Sequence, residues 1–309
     1  MRPLRDMTVI QIEVTNACDL RCANCTRFVG HHRKPFFMDL DMVRRGIESL
    51  LDFPGRIGLM GGEPTVHPKF AEICKIYQEL IPDRRKREFW TNGCKWAEYK
   101  SVILETFDPD LIAYNDHSTP DGKHHPLLVA IKDVVKDEAR MWSLIDNCWV
   151  QRKWSASITP KGAFFCEIAA AMDHLFDGPG GWPVEKGWWK RLPPEFRDQV
   201  ERCCPNCGAA VPMHGVSDKE ACDLVSESNL ARLEQLRSPK FNRGLVKLFS
   251  RADMTEDIDT LAKGWQPSHF RTFVAHCPED YPEEFRRNPC RPPKWSAAGG
   301  KSETRNPKP

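Results

Sequence analysis

Cys18, Cys22 and Cys25, in the run Asn-Ala-Cys-Asp-Leu-Arg-Cys-Ala-Asn-Cys, form a CxxxCxxC. Three thiolates at this spacing can hold three irons of a [4Fe–4S] cube, and the fourth iron, with no protein ligand, stays open to a small molecule. Downstream, Gly61-Gly62-Glu63-Pro64 pairs two residues that let backbone come close to a ligand with a carboxylate suited to an ammonium. Zinc is the alternative for the cysteines, but zinc favours paired CxxC or Cys/His sets, and no partner pair lies within about the next hundred residues.

A second set begins at Cys148. Residues 155–158 and 163–166 read as two strands joined by the turn Thr159-Pro160-Lys161-Gly162, a hairpin that brings Cys166 back toward Cys148. Cys203-Cys204-Pro205-Asn206-Cys207 follows, and a CxxC returning to a hairpin cysteine makes a four-thiolate site: Cys148, Cys166, Cys204 and Cys207, with Cys203 able to replace Cys204. These spacings serve a structural zinc as well as an iron–sulfur cluster. Cys74, beside the apolar face of a helix, reads as a small buried hydrophobe.

The elements around the first set alternate. Thr8 to Val14, Arg56 to Met60, Glu88 to Thr91 and Leu111 to Asn115 read as strands. Between them lie helical faces: Val43, Ile47, Leu50 and Leu51 over 42–53, with Asp39 or Asp41 as N-cap; Phe70, Ile73, Tyr77 and Leu80; and Val102, Ile103 and Phe107. Such alternation implies a parallel sheet with helices outside, whose chemistry gathers at the carboxyl ends of the strands. The cysteine loop, Gly61 to Pro64, Thr91-Asn92-Gly93 and Asn115-Asp116-His117 all fall there. Asn115 and His117 are candidates to face a substrate, a satisfied loop histidine being the plainer reading. Arg152, four residues after Cys148, is a candidate to orient or deprotonate a hydroxyl, against the default of a surface arginine. Trp182, Trp188 and Trp189 offer either an aromatic cover over a site or core packing between the cysteine-bearing parts.

The whole composition suits a globular enzyme. The chain has 309 residues, 40% hydrophobic and 28% charged, with a formal net charge of +2, which gives no reason to expect nucleic acid. No apolar run approaches the roughly 18 residues of a spanning helix and no signal-peptide core opens the chain, so no membrane role and a cytoplasmic location are expected. Thirteen cysteines without a secretion signal favour metal or redox chemistry over disulfides. The expected organisation is a core over 1–145, a cysteine-bearing unit over 146–215, a helical extension over 216–285 and a basic, Pro-rich mobile tail over 286–309.

The pairing of Cys18, Cys22 and Cys25 with Gly61-Gly62-Glu63-Pro64 resembles the radical S-adenosylmethionine (SAM) superfamily. The resemblance implies an α/β fold, a partial (βα) TIM-like barrel of about five to six parallel strands. It implies a [4Fe–4S] cluster on the three cysteines, SAM on its open iron, and an electron donor such as flavodoxin or ferredoxin. Gly61, Gly62 and Glu63 are then SAM contacts, and Asn92 is a further candidate, against a plain Asn-Gly turn. The family places an aromatic residue just before the third cysteine, at the adenine; here that position is Asn24, with Phe28 near enough in sequence to stand in. The second set resembles the Twitch domain, the shortened relative of SPASM, a small β-hairpin plus helix unit holding one auxiliary [4Fe–4S] cluster.

This combination resembles dehydrogenases of aminocyclitol pathways and, alternatively, sulfatase- and peptide-maturing enzymes. An oxidation leaves an electron on the substrate radical, which an auxiliary cluster can accept. Peptide-modifying members commonly carry an N-terminal winged-helix segment, and with the first strand starting near residue 8 none is expected. A small polar substrate, sugar or cyclitol-like, is therefore expected of an oxidoreductase. The reading of another class is a non-catalytic module holding zinc in both cysteine sets.

Overall fold

A computed structural model describes residues 1–115, 117, 122–153, 156–250, 257–264 and 273–275. The expected tail from 286 lies outside these. Strands are β1 Val9–Glu13, β2 Arg56–Met60, β3 Arg87–Thr91, β4 Ile112–Asn115, β5 Lys123–His124, β6 Ala156–Thr159, β7 Gly162–Phe164, β8 Val216–Ser217, β9 Asp223–Val225, β10 Val246–Leu248 and β11 Phe273–Ala275. Helices are α1 Leu40–Glu48, α2 Phe70–Leu80, α3 Trp96–Thr106, α4 Ile131–Val134, α5 Glu138–Asp146, α6 Val150–Lys153, α7 Glu167–Leu175, α8 Arg197–Cys203, α9 Glu227–Gln235, α10 Pro239–Asn242 and α11 Ile258–Gly264.

The main sheet runs β11-β4-β3-β2-β1-β6-β7. From β4 to β6 all neighbours are parallel, giving the expected α/β sheet five parallel strands among the described residues. The fifth is not a further βα unit after β4. It is the first strand of the hairpin, pairing Ile12 with Ile158 on the free side of β1, while β11 closes the β4 edge antiparallel. Because β1 is thereby central, every one of its residues is buried, including Gln11 and Glu13. The cysteine loop thus leaves the sheet from its middle, and the hairpin that carries Cys166 shares that sheet.

Helix α1 starts as expected, Asp39 Oδ1 accepting from Met42 N–H at 2.7 Å. It ends at Glu48, earlier than the apolar spacing suggests. Ser49 Oγ donates to Gly46 O at 2.8 Å and Leu50 N–H to Ile47 O at 2.9 Å, tightening the last turn so that Leu50 and Phe53 stay buried while Leu51 turns out to solvent. Helices α1, α2 and α3 pack side by side against the sheet, burying Val43, Ile47, Ile73, Tyr77 and Ile103. None of the described helices is long and apolar enough to cross a membrane.

Candidate metal centres

At the carboxyl ends of β1 to β4 the loops close on one cavity. Cys18, Cys22 and Cys25 line it together with Gly61, Gly62, Asn92, Asn115 and His117. The two glycines are needed for chain-to-chain contact. A Cβ on Gly61 would stand 2.3 Å from Thr15 O, and one on Gly62 2.3 Å from Ala17 O. Without side chains, Gly62 N–H reaches Thr15 O and Glu63 N–H reaches Ala17 O, both at 2.8 Å, so the end of β2 is laid directly on the cysteine loop. Burial pushes the Cys18 and Cys22 thiols well above their ordinary range. Burial has the same effect on Cys74, outside the set, so it is the shared cavity that groups these thiols.

Glu63 corrects the expected carboxylate–ammonium contact. Its side chain is fully buried and does not line the cavity. Oε1 accepts from Thr65 N–H, Thr65 Oγ1 and Thr91 Oγ1 at 3.1, 2.6 and 2.9 Å, and Oε2 accepts from Asn92 N–H at 2.7 Å. Desolvation nevertheless moves its carboxyl up to about 7. The side chain is a staple between the β2 and β3 loops, and what this turn offers the cavity is backbone. Asn92 is held in turn: Nδ2 donates to Asp19 Oδ1 at 2.7 Å and stands 3.7 Å from Cys18 Sγ, while Oδ1 accepts from Cys94 N–H. It is more than a plain Asn-Gly turn, because it ties the third strand to the cysteine loop.

Asn24 and Phe28 do not reach the cavity. Both have left-handed backbone, with φ of 50° and 52°. Asn is one of the few non-glycine residues that tolerate this region, which gives a reason for its place before Cys25. Asn24 N–H donates to Asp223 Oδ1 at 2.7 Å and its Oδ1 accepts from Leu224 N–H at 3.0 Å, so the position reserved for an aromatic is used to fasten the loop to β9. Phe28 is buried in the hydrophobic core. Trp90 is the aromatic residue that lines the cavity, directly before Thr91-Asn92; its place at the end of a strand was the signal available in sequence.

The segment after residue 216, expected to be helical, carries the short strands β8, β9 and β10 beside α9 and α10 and grips the same loop from beneath. Asp223 is buried; its Oδ1 accepts from Lys240 Nζ and its Oδ2 meets His31 Nε2, each at 2.7 Å, and Lys240 Nζ also reaches Cys22 O at 3.0 Å. The Lys240 ammonium and His31 hold the Asp223 carboxyl well below the usual carboxylate range against the penalty of burial, the largest single influence. Asp218 O accepts from Ala23 N–H at 2.9 Å, and the Asp218 carboxylate is hydrogen-bonded to His117 Nδ1. The same Nδ1 lies 3.7 Å from Cys22 Sγ, so His117 enters the site as a cavity-wall residue backed by Asp218. Nothing in the sequence links Asp218, Asp223 or Lys240 to a motif some two hundred residues earlier.

A second cavity is lined by Cys148, Cys166, Cys204 and Cys207, and by Cys203. Cys148 follows α5, Cys166 precedes α7, and Cys204 to Asn206 form a short turn after α8 whose end is fixed by Cys207 N–H donating to Cys204 O. Burial dominates the upward shift of Cys166, Cys204 and Cys207. Cys204 feels Cys207, Cys166 and Cys148 in turn, whereas Cys203, pushed up to about 11, has Arg202 and Asp173 as its main charged neighbours. Cys207 in turn feels Cys148 and Cys203, so both Cys203 and Cys204 stand at this site. Arg152 lies on α6, its side chain outside the described part of the structure. Trp188 and Trp189 are buried, with Trp188 Nε1 donating to Ser49 Oγ at 3.2 Å and Trp189 edge-on to Phe53, and Trp182 pairs by backbone with Ala163. None of the three lines either cavity, so packing and not an aromatic cover is their role.

Residues 12–111 match the family described as Radical SAM superfamily. No curated protein matches the chain. Among solved structures it is similar to the crystal structure of BtrN in complex with AdoMet and 2-DOIA, at 18% identity over 65% of this chain and 88% of that one, with a TM-score of 0.43. It is also similar to selenomethionine BtrN in an open conformation, at 18% identity over 65% and 86% of the two chains, with a TM-score of 0.39.

Proposed function

We propose that residues 12–111, with the hairpin and turn that follow them, form a radical SAM oxidoreductase acting on a small polar molecule of the sugar or cyclitol class. The observation that carries the reading is the convergence of Cys18, Cys22 and Cys25 on one cavity with Gly61, Gly62 and Asn92. When bound, a [4Fe–4S] cluster and SAM would supply a 5′-deoxyadenosyl radical that takes a hydrogen atom from a substrate carbon, and a second cluster would take up the electron remaining once a proton has left. The chain's own part is to hold and orient. Cys18, Cys22 and Cys25 would hold the cluster, and the backbone of Gly61 and Gly62 would receive SAM in the same cavity. Trp90 offers a flat face, and Asn115 and His117 offer polar groups in the same wall.

The second site supports oxidation over a redox-neutral rearrangement, because a thiol set beside a radical site gives the departing electron a destination. Its ligands are Cys148, Cys166, Cys204 and Cys207. A tetrahedral zinc with Zn–S near 2.3 Å would draw its sulfurs to about 3.8 Å of one another. Among the described residues the trio of ligand atoms within 4.8 Å is Cys22, His117 and Asp218; the four thiols stand round a cavity without converging so closely. The match of residues 12–111 to the radical SAM family is what favours a cluster here over a single ion.

The test is anaerobic. Purified and reconstituted protein should carry about eight irons per chain, for two [4Fe–4S] clusters, should cleave SAM to 5′-deoxyadenosine under a low-potential reductant, and should oxidise at least one member of a cyclitol and sugar panel by two electrons. Zinc in both sites, with no SAM cleavage, would overturn the reading.

A further inference from the structure

Between the two cavities lies a buried ion triad that the chemistry above does not use. Arg27 follows Cys25 by two positions, lines the first cavity and is 3% exposed. Its Nη2 stands 2.9 Å from Glu167 Oε2 and 3.1 Å from Met60 Sδ, and its Nε stands 3.5 Å from Glu13 Oε2. The partners come from separate elements. Glu13 ends β1, Met60 ends β2, and Glu167 opens α7 directly after Cys166. Both carboxylates are as buried as the guanidinium, at 2% and 1% side-chain exposure. A single side chain therefore touches the wall of the first cavity and, through one ion pair, the residue bonded to a thiol-bearing neighbour in the second. Cys25 and Cys166 are both within electrostatic reach of the guanidinium.

Stability alone is a weak reason for this arrangement. Removing three charges from water costs several kcal/mol per ion, and apolar residues of matched shape commonly hold such a place as well or better. The 2.9 Å contact of Nη2 with Glu167 gives something an apolar contact cannot, fixed direction, since the guanidinium presents its donors in a rigid plane; Nε, 3.5 Å from Glu13 and without a hydrogen bond, adds charge alone. Glu167 is the first residue of α7, so fixing its carboxylate fixes the start of that helix and the backbone of Cys166.

We propose that Arg27 is a positioning residue that sets Cys166 in the second thiol site from the wall of the first, so that the two sites are built as one unit. The inference rests on reading both thiol sets as cluster sites. It gives Arg27 no contact with reacting atoms. Its consequence is that a change in the first cysteine loop is felt at the second site, without any change to a second-site ligand.

The experiment uses the full chain with Cys18, Cys22 and Cys25 all replaced by alanine, so that iron reports on the second site alone. In that parent, Arg27→Met, Arg27→Lys and Glu167→Gln are compared by iron content, by the electron paramagnetic resonance spectrum of the reduced protein, and by the midpoint potential of the second cluster. Arg27→Met should shift both spectrum and potential or lose the cluster's iron; Arg27→Lys, which keeps the charge and loses the rigid plane, should shift them less and in the same direction. Glu167→Gln keeps size and hydrogen-bonding capacity, so it decides the matter if Arg27→Met fails to fold by circular dichroism. Unchanged spectrum and potential in the folded Arg27 variants and in Glu167→Gln would overturn the proposal. A parent that binds no iron at the second site would instead overturn the cluster reading beneath it, and the proposal with it.

Discussion

In the first thiol site the three cysteines sit on one loop after β1, held from above by the glycines of the β2 turn and from below by Asn24, Asp223 and Lys240. In the second, the thiols come from the end of α5, the end of the hairpin and the turn after α8, spread from residue 148 to residue 207. The first is local in sequence but needs distant chain to hold its shape. The second is distant in sequence but leans on the same sheet, because β6 pairs with β1. Nearness of ligands in sequence and self-sufficiency of a site are thus different properties, and in this protein they are opposed.

The comparison is broken most severely by removing a thiol from each side. Cys22→Ala should abolish reductive SAM cleavage while about four irons remain at the second site. Cys166→Ala should block product formation while 5′-deoxyadenosine still appears. Iron analysis and chromatography of the nucleoside products check both. If Cys22→Ala still makes 5′-deoxyadenosine, the ligand assignment of the first site is wrong; if Cys166→Ala turns over normally, the second site has no part in the oxidation.

The dependence of the first site on remote chain is tested at Lys240. Lys240→Met leaves Asp223 buried beside His31 without its ammonium, and removal of one partner from a buried pair costs about 3–5 kcal/mol. Because His31 can still share the charge, the lower end, about 3 kcal/mol, is expected. Chemical denaturation measures it. Iron loss should fall on the first site, since Lys240 also holds Cys22 O. Equal loss from both sites would mean that the segment after residue 216 stabilises the whole fold and not the loop.

What sequence alone conveys follows the same line. The four strands β1 to β4, the cysteine spacing, Gly61-Gly62 and Asn92 are readable because each is a contiguous pattern: alternating apolar runs, a short motif, a turn. The second thiol set is readable because cysteines are rare and a hairpin between two of them has its own turn residues, Thr159 to Gly162. The place of β6 beside β1 is not readable, since a strand pattern says that a strand forms but not which edge it takes. Glu63 shows a subtler limit. A carboxylate in a ligand-binding turn looks like a ligand group, and only the four donors supplied by Thr65, Thr91 and Asn92 reveal that its valences are spent within the protein. Asn24 misleads in the opposite sense: an apparent departure from an aromatic position is satisfied by a left-handed backbone and two hydrogen bonds to β9.

Asn24 accordingly sharpens the comparison by a smaller step. Asn24→Gly keeps the left-handed backbone but leaves Leu224 N–H without its acceptor, a loss of about 1–3 kcal/mol. Asn24→Ala adds the left-handed penalty of about 1–2 kcal/mol for a residue with a Cβ. Denaturation should therefore rank wild type above Gly and Gly above Ala. Asn24→Phe, which restores an aromatic residue, should rank lowest and should not improve SAM binding, because the side chain at this position is directed to β9 and not to the cavity.

Acid distinguishes the two regions least, because each carries a buried neutral histidine. His124 Nδ1–H donates to Ala23 O beside the first cavity, and His125 Nε2–H donates to Gly208 O next to Cys207; both are held down at about 4, mainly by burial. A histidine whose folded value lies below its ordinary 6.5 takes up a proton more readily once unfolded, so its contribution to stability is complete above about pH 6.5 and is lost as the pH falls toward 4. Each should lower stability by up to about 1.4 kcal/mol per pH unit across that window. The buried Glu63 carboxyl, held up at about 7, acts in the opposite sense over the same window and is common to wild type and variant. The test is therefore the difference: chemical denaturation of the loaded protein at pH 7.5 and 5.5 should show His125→Gln losing less, or gaining more, on acidification than wild type, because Gln keeps a donor for Gly208 O and does not titrate. If the slope is unchanged in His125→Gln, His125 is not held neutral, and the turn that carries Cys207 is more open to water than its burial implies.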